Sequence, residues 1–233
     1  MGGNSPARRQ RIKRLAAYAL CVLLAGGALA GWQISRATDP TRVDPIVMPN
    51  TVALRSGDII LAGGVSLQSR LVRSMTHDNT YSHVGIIEVT PDGVFVLHAA
   101  PKGAGDGGFG DRAARLRLDL FLAERGYVTA RVLRLRREHE RSKQIAQDAV
   151  AYAVGYIEQA VPFDHAYDLG EHQRLYCSEL VWLAYQRADY TWPDTLYTDQ
   201  SLTMANGPVI LPGDFANCTD FMTVWQHTSK GTH

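Results

Sequence analysis

Five short apolar or alternating runs along the chain predict β-strands. Ser56–Gly64 is a β-rich run that ends in glycines, and the runs His83–Val89 and Gly93–Ala99 are joined by a Thr-Pro-Asp-Gly turn signature. Tyr127–Arg136 alternates apolar and polar residues, as a strand with one solvated face does. A final short strand follows the loop that begins at Pro208. Because a tight turn joins two of the runs, we expect a mostly antiparallel sheet.

Apolar residues at three- and four-residue spacing predict helices between and after these strands. The predicted helices are residues 66–75, with Ser66 as the N-cap, and the segments Arg117–Gly126, Glu138–Glu158 and Cys177–Ala188. The last helix carries one apolar stripe, made by Leu180, Val181, Ala184 and Tyr185. The pattern therefore predicts an α+β fold in which a central, mostly antiparallel sheet packs against helices.

The N-terminal segment, residues 1–32, has the layout of an export signal. Five arginine and lysine residues and no acidic residue fall within the first fourteen positions, and an uncharged run extends from Leu15 to Trp32. The small-residue triplet Ala28-Leu29-Ala30 suits a signal-peptide cleavage site. The run also reaches the minimum length for crossing a bilayer, so an uncleaved N-terminal membrane anchor remains an alternative. Both alternatives predict a domain outside the cytoplasmic membrane, in the periplasm or cell envelope.

The rest of the chain divides into three parts by composition. Residues 33–53 are spaced by prolines and lack periodicity, which is typical of a linker. Residues 54–226 contain all the predicted strands and helices and form the predicted folded domain. Residues 227–233 are polar and predict a flexible tail.

Composition and charge narrow the possible partners. The chain has 233 residues, of which 45% are hydrophobic, enough for one domain with a substantial core. Its 24 lysine and arginine residues balance 23 acidic ones, so the overall charge gives no reason to expect a nucleic-acid partner. The predicted domain holds two cysteines, Cys177 and Cys218, and in an oxidising compartment a disulfide between them is one interpretation.

The position of Cys177 favours a different role, that of a nucleophile. The predicted helix places the thiol in its first turn, where unpaired backbone N–H groups and the helix dipole favour the thiolate. The same N–H groups can stabilise the oxyanion of a tetrahedral intermediate. An imidazole nearby would accept the thiol proton and later protonate the leaving group.

Two histidines on the predicted hairpin fit this chemistry. His83 stands at the start of an apolar strand, where a rigid backbone could direct it as the general base. A general base needs a third group that fixes its tautomer and orientation, and His98, near the end of the next strand, lies at the same end of the hairpin.

Other interpretations of the same residues remain open. A histidine in a strand is often a hydrogen-bonded structural residue, and a cysteine in an amphipathic helix is often a core residue. A zinc site made by His83, His98 and Cys177 is a further alternative, although the close-spaced ligand pairs typical of zinc sites do not occur. We expect no metal and no cofactor.

Five motifs together resemble a known family. In chain order they are RSGDIIL, MTHDNTYSHVGII, VFVLHAAP, VPFDHAYDL and YCSELVWLAY. In this order they are similar to the YiiX/YebB-like branch of the NlpC-type, circularly permuted papain-like cysteine hydrolases, from about Leu54 to Trp225. The pairing of YSHVGI with a later YCSELVW is the specific part of this resemblance.

The resemblance implies a circularly permuted papain-like fold with the catalytic cysteine at a helix N-terminus. It implies that Cys177 is the nucleophile and His83 the general base, with the histidine first in the chain as permutation requires. The orienting group in relatives is often a carboxylate, whereas here it is His98, as in lecithin:retinol acyltransferase-like enzymes. Tyr176 and Tyr81 flank the pair, and each either donates to the oxyanion or packs as an aromatic residue.

The expected function is therefore an extracytoplasmic cysteine hydrolase that cleaves an amide or ester through an acyl-thioester intermediate. A peptidoglycan peptide or a lipid acyl group is the expected substrate. The alternatives are a non-catalytic envelope binding module that keeps the fold and a lipid acyltransferase. Six other polar residues carry no predicted chemistry: we interpret His77, His139, His165 and His172 as solvated, and Asp58 and Asp164 as turn caps.

Overall fold

The computed structural model describes residues 45–65, 67–74, 80–102, 110–124, 126–136, 141–196 and 208–228. The predicted export signal or anchor lies outside these residues, as do His77 and His139. Within the described ranges, every helix is too short or too polar to cross a bilayer.

Among the described residues, six strands form one sheet in which every neighbouring pair is antiparallel. The strands are β1 (Ile59–Gly64), β2 (His83–Thr90), β3 (Gly93–Ala100), β4 (Arg112–Arg117), β5 (Tyr127–Leu135) and β6 (Phe221–Thr228). Their order across the sheet is β4-β3-β2-β1-β5-β6. The predicted antiparallel sheet is confirmed.

The β2–β3 hairpin is closed by the turn that the sequence predicts. Thr90 pairs with Gly93, and the Thr90 hydroxyl donates to the Gly93 carbonyl oxygen. Gly93 has a φ of +137°, which glycine adopts at little cost because it has no Cβ. The turn fixes the register further along the hairpin, where Ile86 pairs with Leu97.

Helices cover both faces of the sheet. They are α1 (Leu67–Ser74), α2 (Leu118–Glu124), α3 (Ser142–Glu158), α4 (Cys177–Arg187) and α5 (Pro212–Ala216), with a 3₁₀ turn at Asp194–Leu196. The larger core cluster joins α3 and α4 to the sheet through residues such as Val84, Leu97 and Val181. A smaller cluster on the other face joins α2 to the sheet through Ile60, Val96 and Phe121. The α+β class and the helices predicted in these regions are confirmed.

The structure contains two elements that the sequence pattern does not predict, β4 and α5. The β4 segment is rich in alanine and arginine, which rarely signal a strand, and its pairing with β3 decides its conformation. The α5 segment has only five residues, and its start is stabilised by the Asp214 carboxylate, which accepts from the backbone N–H of Leu211 at 2.7 Å.

The two ends of the predicted domain extend slightly beyond its expected limits. Ile46, in the predicted linker, is buried in the cluster that contains α2, and Met48 packs against the same cluster. At the other end β6 continues to Thr228, where it pairs with Thr129 of β5. Pairing and burial at both ends therefore add a few residues to the folded part.

Candidate active site

His83 and His98 form a buried pair on the hairpin. The Nε2 atom of His83 lies 3.0 Å from the Nδ1 atom of His98, and the two rings are nearly perpendicular, at 89°. Both side chains are almost completely buried. The ring of Phe121 on α2 contacts both histidines, with centroid distances of 5.6 and 5.4 Å. This arrangement holds the His83 ring in one orientation.

Gly85 makes the close approach of the two strands possible at this pair. A Cβ atom at position 85 would lie 2.5 Å from Cγ1 of Val96 and 2.9 Å from the carbonyl oxygen of Leu97. It would also lie 3.2 Å from Cβ of His98. The glycine in the YSHVGI motif therefore has a structural reason: it leaves room for β3 and its histidine beside β2.

Cys177 is the first residue of α4, as the sequence predicts. The N-cap is Tyr176, whose backbone is extended (φ −90°, ψ 172°), so the chain enters the helix just before the thiol. The Cys177 side chain is partly exposed, and α4 packs against β2 and β3. A thiol at this position faces the positive end of the helix dipole, which favours its thiolate form.

Cys177 and Cys218 are not joined by a disulfide in the structure, so the disulfide interpretation is not supported. Cys218 is buried, and its sulfur lies 3.7 Å from the hydroxyl of Tyr190. Burial raises the pKa of the Cys218 thiol. The two cysteines thus differ in burial: Cys177 is partly exposed, as reactive thiols are, and Cys218 is buried, as structural ones are.

The family of the chain follows from its sequence over the same residues. Residues 53–225 match the profile of a family described as permuted papain-like amidase enzyme, YaeF/YiiX, C92 family. The chain belongs to this permuted papain-like amidase family. The predicted family and the predicted permuted fold are thereby confirmed, and membership indicates a papain-like hydrolase of the amidase or peptidase type.

One solved structure shares the fold of this C92 family member. It is described as metalloprotein YiiX from Escherichia coli O157:H7, with 22% sequence identity and a TM-score of 0.56. The match covers 75% of this chain and 98% of the YiiX chain. A search of curated proteins gave no match. In the described part of this chain, no three His, Cys, Asp or Glu side chains converge in a way that could hold a metal ion.

The two tyrosines that flank the predicted pair are both buried in this amidase. The hydroxyl oxygen of Tyr176 accepts a hydrogen bond from the backbone N–H of Ile210 at 3.1 Å, and burial raises the pKa of Tyr176 well above its usual value. Tyr81 is 2% exposed and belongs to the larger core cluster. The packing role is thus visible for both, and the Tyr176 hydroxyl is engaged within the protein.

Glu179 and His172 form a pair that the sequence interpretation missed. Glu179, two residues after Cys177, is fully buried, and its Oε1 atom lies 2.9 Å from Nδ1 of His172. His172 is exposed, as its interpretation as solvated expects, but its ring also contacts this buried carboxyl group and lies 5.9 Å from the ring of Trp182. His165 is exposed as well and pairs with the exposed Asp111.

The environment of Glu179 favours its protonated form. Burial raises the pKa of Glu179 to about 9, against the effect of the backbone N–H of Tyr176, which lowers it. The Oε2 atom of Glu179 is buried and has no hydrogen-bond partner among the described residues. A glutamate at the third position of a helix is the residue that reaches back to the N-cap backbone, and this was the available sequence signal.

The two aspartates expected to cap turns do so. Asp164 is buried, and its carboxylate accepts from the backbone N–H groups of Ala166 and Asp168 at 2.8 and 2.7 Å. Asp58 accepts from the backbone N–H of Arg55 and also forms a two-point ion pair with Arg134, with both distances at 2.7 Å. Asp58 therefore ties β1 to β5, and Asp164 shapes the loop that leads to Cys177.

Proposed function

We propose that this protein is a cysteine hydrolase in which Cys177 is the nucleophile, His83 the general base and His98 the group that orients His83. The 3.0 Å contact between Nε2 of His83 and Nδ1 of His98 carries this proposal. Two buried imidazoles in direct contact hold one ring tautomer, which is what a general base requires. Family membership and the start of α4 at Cys177 support the assignment of the nucleophile.

The proposed reaction has two steps. The Cys177 thiol gives its proton to the imidazole of His83, and the thiolate attacks the carbonyl carbon of an amide or ester. The carbon–nitrogen or carbon–oxygen bond then breaks, and the leaving group takes the proton from the His83 imidazolium. Water, deprotonated by His83, attacks the thioester, and the carboxylic acid leaves as the Cys177 thiol forms again.

The proposed substrate is an amide or ester of the cell envelope. A peptidoglycan peptide and a lipid acyl group both meet this description, and the basic and apolar N-terminal segment supports an exported enzyme that would meet either. If the segment is uncleaved, it would also anchor the protein to the membrane. Fractionation of cells that express the full chain, with the mass of the mature N-terminus, tests this placement.

The experiment that tests the function traps the acyl-enzyme. The protein is incubated with muropeptides and, in parallel, with phospholipid vesicles, and the peptide that contains residue 177 is then analysed by mass spectrometry. We expect an acyl adduct on Cys177 that is absent from Cys177→Ala. The matched control is Cys218→Ala, which removes the other thiol of the domain and should leave the adduct and the turnover intact.

Two outcomes would contradict the proposal. Turnover in Cys177→Ala equal to that of the wild type would remove the nucleophile from the reaction. Saturable binding of either ligand by both the wild type and Cys177→Ala, with no adduct and no product, would instead indicate the envelope binding module.

A further inference from the structure

The loop before the catalytic helix holds Tyr167 in a constrained conformation. Its φ is +56°, in the left-handed region that residues with a side chain rarely adopt. The two backbone N–H groups on either side of it, those of Ala166 and Asp168, both donate to the buried carboxylate of Asp164. A strained residue that is fixed by its surroundings in this way is typical of a functional site.

The side chain of Tyr167 is directed to the start of the catalytic helix. Its ring lies 5.2 Å from the ring of Tyr176, the residue that immediately precedes Cys177. Phe163 packs perpendicular to it from the other side, at 6.2 Å. Tyr167 is half-buried, in contrast to the fully buried Tyr176 and Tyr81. It is therefore a partly exposed tyrosine that packs against the residue immediately before the thiol.

We propose that the hydroxyl of Tyr167 donates a hydrogen bond to the carbonyl oxygen of the bond that Cys177 attacks, and so stabilises the oxyanion of the tetrahedral intermediate. This inference rests on the proposed function and adds a catalytic residue to it. The backbone N–H groups at the start of α4 supply the other donors to the same oxygen. The two backbone hydrogen bonds to Asp164 keep the phenol in position before the substrate arrives, so that no loop ordering is needed during the reaction.

The state of the phenol agrees with a donor role. Burial raises the pKa of Tyr167 to about 12, and the negative charge of the Cys177 thiolate adds to this rise. The hydroxyl therefore keeps its proton throughout the range in which His83 acts as a base.

The test compares two reactions of the same thiol in the full-length protein. Iodoacetamide alkylates Cys177 by displacement at a saturated carbon, which forms no oxyanion, whereas p-nitrophenyl acetate acylates it through a tetrahedral oxyanion. The variant is Tyr167→Phe, which keeps the ring and its packing and removes only the hydroxyl. Its control is Tyr152→Phe, at an exposed position on α3. Thermal unfolding of both variants fixes a temperature at which each is fully folded.

We expect acylation of Tyr167→Phe to fall about 10²-fold, the loss found when one oxyanion donor is removed, while alkylation stays within twofold of the wild type. Tyr152→Phe should match the wild type in both reactions. Equal losses in the two reactions would mean that Tyr167 acts on the thiol, and an unchanged acylation rate would mean that it does not act at all; each overturns the inference. A wild-type protein that is alkylated but never acylated would overturn the proposed function, and the inference with it.

Discussion

Replacement of Gly85 by alanine tests the geometry of the histidine pair without touching either histidine. The added Cβ would lie 2.5 Å from Cγ1 of Val96, 2.9 Å from the carbonyl oxygen of Leu97 and 3.2 Å from Cβ of His98. The distances to Val96 and Leu97 are shorter than the non-bonded contacts that Cβ atoms make in proteins, so β3 must move away from β2. Val96 is fully buried, and Leu97 pairs with Ile86 in the hairpin, so neither group can yield alone.

The expected cost follows from overpacking. Extra methyl groups in a tightly packed core destabilise proteins by about 1 to 3 kcal/mol. Loss of the contact between His83 and His98 adds about 1 kcal/mol at most. We therefore expect Gly85→Ala to lower the free energy of unfolding by about 1 to 4 kcal/mol, as measured by urea denaturation. Because His83 loses its orienting partner, acyl turnover should also fall on the order of 10²-fold.

The matched control is Gly155→Ala in the middle of α3. At this position a Cβ would meet only the end of the Gln159 side chain, at 3.9 Å. Alanine is favoured over glycine inside a helix, so this variant should gain up to about 1 kcal/mol. An unfolding free energy for Gly85→Ala within about 0.5 kcal/mol of the wild type, with turnover unchanged, would refute the reasoning about strand spacing.

Two further predictions concern His98 and Glu179. His98→Phe keeps a ring against Phe121 but removes the partner of His83 Nε2, so acyl turnover should fall on the order of 10²-fold or more. Alkylation of the unfolded protein should be unchanged. Full activity in this variant would show that His98 does not orient His83. For Glu179, the folded-state pKa of about 9 lies above the ordinary 4.5, so the folded protein keeps a proton that the unfolded chain releases. The stabilisation that Glu179 contributes is complete below about pH 4.5 and is lost as the pH rises to about 9. Urea denaturation should therefore show a free energy of unfolding that falls between pH 5 and pH 8. Glu179→Gln should flatten this decline, and equal slopes in the two proteins would contradict the assignment of the proton.

The sequence alone determined those features that depend on local pattern. The alternation in β5, the turn that joins β2 to β3 and the apolar stripe of α4 are each set within a few consecutive residues, and the structure shows all three. The placement of Cys177 at a helix start is local in the same sense, because helix signals act over one or two turns. The motif order was enough to indicate the permuted papain-like family.

Only the tertiary structure decided how distant groups meet. The β4 strand exists because β3 pairs with it, and no local signal in an alanine- and arginine-rich segment requires that. The contact between Glu179 and His172, the 3.0 Å spacing of His83 and His98 and the left-handed backbone of Tyr167 depend on how loops close and strands align. Distances of this kind result from the packing of the whole core, because each interior side chain is fixed by neighbours that are remote in the chain.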